Sequence, residues 1–265
     1  MSVAASNATR DAAVTPSPAL ATRGLSKSFG SLMVARDIAL TLPAGVRYAL
    51  IGPNGAGKTT LINLITGMLA PNAGQIFLGD EDITRLEPQA RVRRGLARTF
   101  QINTLFAGLN ALEAVTLAVC ERHGLSGGFW RNIAVHREAI EEAHDILVKL
   151  RLGEACYQPT RELPYGRQRL LEIALALATR PKVLLLDEPA AGVPPEESGD
   201  IFEAVAGLSD DLTLLFIEHD MHVVFRFASR IIVLVGGAIF AEGTPAEIAA
   251  DPGVREVYLG TRKHG

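Results

Sequence analysis

The segment Gly52-Pro53-Asn54-Gly55-Ala56-Gly57-Lys58-Thr59 follows directly on the apolar run Tyr48-Ala49-Leu50-Ile51 and leads directly into Thr60-Leu61-Ile62-Asn63-Leu64-Ile65, a helical pattern. Few folds accommodate that order. Glycines at 52, 55 and 57 allow positive φ, so the backbone can turn its N–H groups inward, and the helix behind adds unpaired amides and the positive end of its dipole. The amides from Asn54 through Thr60 are therefore expected to grip a polyphosphate. Lys58 would reach its terminal phosphates, and Thr59 would offer a hydroxyl to Mg²⁺. A glycine-rich turn with a chance lysine is the plainer alternative, but strand, loop and helix all fall where the motif requires them.

Composition narrows the class. With 265 residues, 48% hydrophobic and 21% charged, the chain is long enough to bury a substantial core as a single α/β unit. A formal net charge of −3 argues against a nucleic-acid partner, which would call for a basic face. Cys120 and Cys156 form no CxxC pair, and they read as reduced thiols of a cytosolic protein. The first twenty residues, rich in Ala, Ser and Thr with Pro16 and Pro18, read as a loose tail and lack the apolar core of a secretion signal. Apolar runs such as Val183 to Leu186 and Ile231 to Val235 are strand-sized, so any membrane role requires a partner. Arg91, Arg93, Arg94 and Arg98 read as a solvated helix face, with a phosphate or partner contact as the alternative.

Along the chain, Ala21 to Leu42 alternates in the manner of antiparallel strands, Gly74 to Leu78 is another strand, and Pro88 to Leu96 is helical. Helical spacing recurs at Leu112 to Val119 and Val135 to Leu150, which suggests a small helical subdomain over about 102–165, inserted in the core. Beyond it, helices at Gln168 to Thr179 and Glu196 to Leu208 alternate with strands at Lys182 to Leu186 and Leu212 to Ile217, a pattern that favours parallel sheet. Arg230 to Val235 and Ala238 to Ala241, split by Gly236-Gly237, suggest a hairpin, and Thr244-Pro245-Ala246-Glu247 opens a helix with a capping box.

A second chemical constellation is Val183-Leu184-Leu185-Leu186-Asp187-Glu188-Pro189, buried aliphatics ending in two carboxylates at a strand tip. Ligands collect at that edge of a parallel sheet. Asp187 is placed to hold Mg²⁺ and Glu188 to polarise an attacking water. Upstream lies Leu163-Pro164-Tyr165-Gly166-Arg167-Gln168-Arg169, a glycine turn entering a helix. With Gln101 before it and His219 after it, the chain from about Leu20 to Gly260 resembles the ATPase subunit of ATP-binding cassette transporters.

The resemblance implies a P-loop NTPase fold, a RecA-like α/β core with an antiparallel β subdomain and the helical insert, and it implies ATP and Mg²⁺ as ligands. It makes Phe29 the ring stacked on adenine, Gln101 a contact to Mg²⁺ and water, Glu188 the catalytic carboxylate and His219 a sensor of the γ phosphate. Read singly, Phe29 is equally a core residue, Gln101 a loop amide and His219 a polar residue at a strand end; His219 with Asp220 and His222 could also suggest a metal site, but no further ligand set is visible. Leu125-Ser126-Gly127-Gly128 spells the family signature but sits inside the insert and reads as a loop. The signature position is Leu163 to Arg167, whose Tyr165, Gly166 and Arg167 would face a second subunit's ATP. Pro164 stands where the family usually has Ser, and Pro194 where it usually has Asp. Those departures point to an asymmetric heterodimer with a second ATPase, a homodimer being the alternative.

Finer resemblance points to importers of the branched-chain amino acid type. It is carried by Arg98-Thr99-Phe100-Gln101, Asp187-Glu188-Pro189-Ala190-Ala191-Gly192, Ile217-Glu218-His219-Asp220-Met221 and the ending Val257-Tyr258-Leu259-Gly260. It implies transmembrane permease subunits, a periplasmic solute-binding protein acting indirectly, and a place at the cytoplasmic face of the inner membrane. A lipopolysaccharide-export ATPase and a non-transport ATPase of the same family remain as alternatives.

Overall fold

The computed structural model describes residues 17–99, 108–125 and 136–260. The tail reading falls mostly on residues 1–16, outside the described residues, and the first element among the described residues is β1 at Leu20–Phe29. β1 pairs antiparallel with β2 (Leu32–Leu42) and with β4 (Ala73–Leu78), and β5 (Glu81–Asp82) completes a four-stranded sheet in the order β2-β1-β4-β5.

A second sheet carries the site. Its strands are β3 (Arg47–Ile51), β6 (Leu96–Arg98), β7 (Val183–Asp187), β8 (Thr213–Ile217), β9 (Arg230–Val235) and β10 (Ala238–Gly243), in the order β10-β9-β3-β8-β7-β6. All neighbours are parallel except the β9–β10 hairpin. Aliphatic residues on both faces of β3, β7, β8 and β9 are buried, as a parallel sheet covered on both sides demands. Ala49, Ile51, Leu184, Leu186 and Phe216 join one core cluster, while Tyr48, Leu50, Val183, Leu185 and Ile217 join the other. Helix α1 (Lys58–Thr66) packs with the antiparallel sheet in the second cluster. The first cluster takes in α3 (Ala111–Arg122), α4 (Arg137–Lys149), α5 (Tyr165–Leu177), α6 (Pro195–Ala206) and α7 (Met221–Phe227). No described helix is long and apolar enough to cross a membrane.

Two readings of the arginine run change. The helix from Pro88, α2, stops at Arg93 because Gly95 turns left-handed (φ 102°) and its carbonyl accepts from Lys182 and Val183 N–H, drawing Leu96–Arg98 into the sheet as β6. Nor is the cluster a solvated face throughout, although Arg93 is exposed as that reading expects. Arg91 is fully buried and donates to the carbonyls of Leu64 and Ile65 at the end of α1, and to those of Thr84 and Leu86. These carbonyls include ones that a helix end leaves without partners. Arg98 pairs with Asp187. The two helices α8 (Pro245–Ala250) and α9 (Pro252–Gly260) close the described chain, α8 with the expected Thr244–Glu247 capping box.

Within the helical region Glu142 of α4 accepts from Arg122 of α3 at 2.9 and 2.6 Å and from Arg180, just beyond α5, at 2.9 Å. The Arg122 hydrogen bonds, opposed by burial and aided by Arg180, hold its carboxyl at about 2 against an ordinary 4.5. A depressed carboxyl contributes stability that is complete above 4.5 and is lost as pH falls toward 2. Glu142→Gln should therefore remove on the order of 2–3 kcal/mol at neutral pH and much less near pH 2, as read by urea unfolding across pH. A difference that does not vary with pH would contradict the assignment.

Candidate functional site at the carboxyl edge of the parallel sheet

β3 sits between β9 and β8, and its end at Ile51 feeds the glycine loop. Gly52, Gly55 and Gly57 take φ of 156°, 78° and 102°, as the glycine spacing leads one to expect. Two of them are also required by packing: a Cβ on Gly52 would lie 2.2 Å from the Leu234 carbonyl oxygen, and one on Gly57 would lie 2.6 Å from that of Val34. The Pro53 carbonyl accepts from Ala56 N–H, and the Ala56 carbonyl accepts from Gly237 N–H. Among the described residues, the N–H groups of Gly55, Gly57, Lys58 and Thr59 donate to no protein acceptor. Four such amides around the start of α1 form a nest for an anion. Asn54 and Thr59 are exposed and Thr60 is half-buried.

Lys58 is buried and lies back across the loop, donating to the carbonyls of Gly52 at 2.8 Å and Pro53 at 3.1 Å. Burial lowers its pKa, while the carboxylates of Glu188 and Asp187 act to raise it. Those carboxylates lie at the tip of β7. Glu188 has left-handed backbone geometry (φ 50°), and its N–H donates to the Ile217 carbonyl at the end of β8. A non-glycine residue held there is strained, a state that persists where surrounding structure enforces it. Its Oε1 lies 2.7 Å from His219 Nε2. Glu188, His219, Ser198 and Glu218 are among the residues that line a cavity of about 160 Å³.

The structure thus brings together Lys58, Asp187, Glu188 and His219. Phe29 ends β1 with 53% of its surface exposed, Lys27 Nζ lying 5.4 Å from its ring centre, so it is not a core residue. Gln101 lies outside the described residues, as do Phe100, Asn103 to Phe106, and Ser126 to Gly128 of the second signature-like run. Asp220 caps α7 by accepting from His222 N–H. No hydrogen bond joins Tyr165, Gly166 or Arg167 to the Lys58 loop among the described residues. They open α5, with Pro164 at its cap and Gly166 against Glu197 and Val193. The Tyr165 hydroxyl accepts from Arg169 at 2.6 Å, and Arg169 forms a buried ion pair with Glu172 at 2.8 Å.

Two charged groups escaped sequence reasoning. Arg98 contacts Asp187 at 2.6 Å. Glu218 is buried next to His219 and accepts from the N–H groups of Ala190 and His219, both at 3.2 Å. Burial pushes the Glu218 carboxyl up against those hydrogen bonds. A signal for Glu218 was present: it directly follows a strand buried at every position and precedes His219.

A family model described as ABC transporter matches residues 35–191. The chain belongs to the ATP-binding cassette transporter family. A further model, branched-chain amino acid ATP-binding cassette transporter, matches residues 238–264 of this cassette. The cassette is 39% identical over 250 residues to the high-affinity branched-chain amino acid transport ATP-binding protein LivG of Salmonella typhimurium, covering 92% of this chain and 98% of the relative. It is also 39% identical to the corresponding protein BraF of Pseudomonas aeruginosa, again over 92% and 98%. Among solved structures it is similar to an ATP-binding cassette of an ABC transporter in its ADP conformation, at 35% identity and TM-score 0.81, covering 92% and 99% of the two chains.

Glycine substitutions in the cassette's loop separate backbone strain from steric conflict. Gly55→Ala meets no neighbour and should cost about 1 kcal/mol from its positive φ alone. Gly57→Ala adds a clash with the Val34 backbone, so it should cost at least ~3 kcal/mol in denaturant unfolding and weaken nucleotide binding far more. Equal effects at the two positions would contradict the wedged loop.

Proposed function

We propose that this chain is the ATPase subunit of an importer, binding and hydrolysing ATP to drive uptake of branched-chain amino acids or a related small polar solute. The observation that carries the reading is the meeting of the Lys58 loop, Asp187, Glu188 and His219 on one sheet edge. Kinship over 92% of the chain to branched-chain amino acid transport ATP-binding proteins supports the solute class, and the match at 238–264 favours import over lipopolysaccharide export.

In this reading the unpaired amides of the loop hold the triphosphate, and Lys58 exchanges the Gly52 and Pro53 carbonyls for phosphate oxygens. Phe29 offers its exposed ring to adenine. The Thr59 hydroxyl, the Asp187 carboxylate and the Gln101 amide oxygen would hold Mg²⁺, an all-oxygen donor set of the kind that ion prefers. When bound, the metal supplies charge neutralisation on the phosphates. Glu188, fixed by its strained backbone and by His219, orients the attacking water. Lys58→Ala should abolish Mg²⁺-ATP affinity, and Glu188→Gln should keep ATP binding while slowing turnover by 10²-fold or more. Retained affinity in the first, or undiminished turnover in the second, would contradict these roles.

The partners in this reading are transmembrane permease subunits that hold the chain at the cytoplasmic face of the inner membrane, a periplasmic solute-binding protein acting indirectly, and a second ATPase. Tyr165, Gly166 and Arg167 would face that second subunit's ATP. Two features support an unequal pair: Pro164 has neither a hydroxyl nor an N–H to donate, and the Glu197 carboxylate lies close to Gly166, 2.8 Å from where a Cβ would stand. Mixing with the second ATPase should raise ATP turnover well above that of this chain alone. Equal rates would favour the homodimer.

A further inference from the structure

β6 is three residues long, and its last side chain spans three elements. Arg98 Nη2 donates to Asp187 Oδ2 at the tip of β7, and Nη1 donates to Asn63 Oδ1 on α1, each at 2.6 Å. The pair is largely out of water, with side-chain exposures of 14% for Arg98 and 18% for Asp187. Beside it lies a cavity of about 230 Å³ whose lining includes Arg98, Thr99, Arg169, Glu172, Asp187 and Pro189. Without Arg98, the Asp187 carboxylate would have room to turn into that space.

We infer that Arg98 is a positioning residue for Asp187, holding one carboxylate oxygen so that the other, Oδ1, stays presented for Mg²⁺. The inference rests on the proposed function, and it deepens the account of the same site. Three observations separate this role from that of a counter-ion that simply competes with the metal. The contact uses a single carboxylate oxygen, whereas a guanidinium acting as a substitute cation would cover both by its fork geometry. The second arm of the fork is tied to Asn63, so the group is anchored and not free to swing away. That anchor is the helix whose start is the phosphate loop, so Arg98 fixes the spacing between Asp187 and the Lys58–Thr59 end of α1.

The test is the Mg²⁺ dependence of ATP binding, measured by calorimetry or a fluorescent nucleotide with the metal titrated and with the metal chelated. The proteins compared are wild type, Arg98→Met, Arg98→Lys, Asp187→Asn and the double variant Arg98→Met/Asp187→Asn. Groups that orient a metal ligand typically contribute 10–100-fold to metal affinity. Arg98→Met should raise the Mg²⁺ concentration at half effect about tenfold or more while metal-free ATP affinity stays within about twofold. Arg98→Lys should recover part of the loss, and the double variant should be no worse than Asp187→Asn alone.

A tighter Mg²⁺ response in Arg98→Met would make Arg98 a competitor and overturn the inference, as would an unchanged response. A parallel fall in metal-free and metal-dependent binding, with a lowered melting temperature shared by Arg98→Lys, would assign it a structural role only. Absence of any ATP affinity in the wild type would instead overturn the proposed function, and this inference with it.

Discussion

The glycine loop is wedged between two carbonyl oxygens. Leu234 of β9 approaches Gly52, and Val34 of β2 approaches both Gly57 and Gly237. Two hydrogen bonds complete the wedge: Gly237 N–H donates to the Ala56 carbonyl, and Arg36 N–H donates to that of Gly237. No side chain could replace these contacts, because the space beside each glycine is already filled by main chain. The same contacts join the antiparallel sheet to the parallel one. The loop that leaves its amides unpaired is therefore also the joint between the two sheets, and its shape is set by strands far apart in sequence.

Around that joint the charges are arranged in alternation. Lys58 lies near Asp187 and Glu188, Arg98 holds one oxygen of Asp187, and His219 lies against Glu188. Glu218 adds a third carboxylate, kept off water and satisfied by two backbone N–H donors. Buried polar groups of this kind persist when each has a partner, and here the partners come from different strands and loops. The strained backbone at Glu188 belongs to the same arrangement: the residue's N–H continues the ladder to the Ile217 carbonyl at the end of β8, and its left-handed φ then turns the chain out of the strand.

Much of this was legible in the sequence because it depends on local chemistry. Glycines 52, 55 and 57, the aliphatic strand before Asp187, the Gly236-Gly237 hairpin and the Thr244 capping box each announce their conformation through neighbours a few residues away. Arg91 and Arg98 were misread for the converse reason. Arg91 serves carbonyls of α1 more than twenty residues upstream, and Arg98 serves a carboxylate 89 positions downstream. Nothing in the local run of arginines distinguishes a solvated cation from one that satisfies a distant helix end. Phe29 shows the same limit from the other side, since only the three-dimensional arrangement reveals that its ring faces outward.

Tyr165 bears on how the outer face of the molecule can move. Its ring lies close to Gly192, where a Cβ would come within 3.2 Å of ring carbon Cε1, and Gly192 itself needs positive φ. Arg169 grips the hydroxyl from one helical turn further along and is in turn locked to Glu172. The turn after the acidic strand tip and the first turn of α5 are consequently welded into one plate. Any side chain at position 192 would press on that ring and prise the turn from the helix.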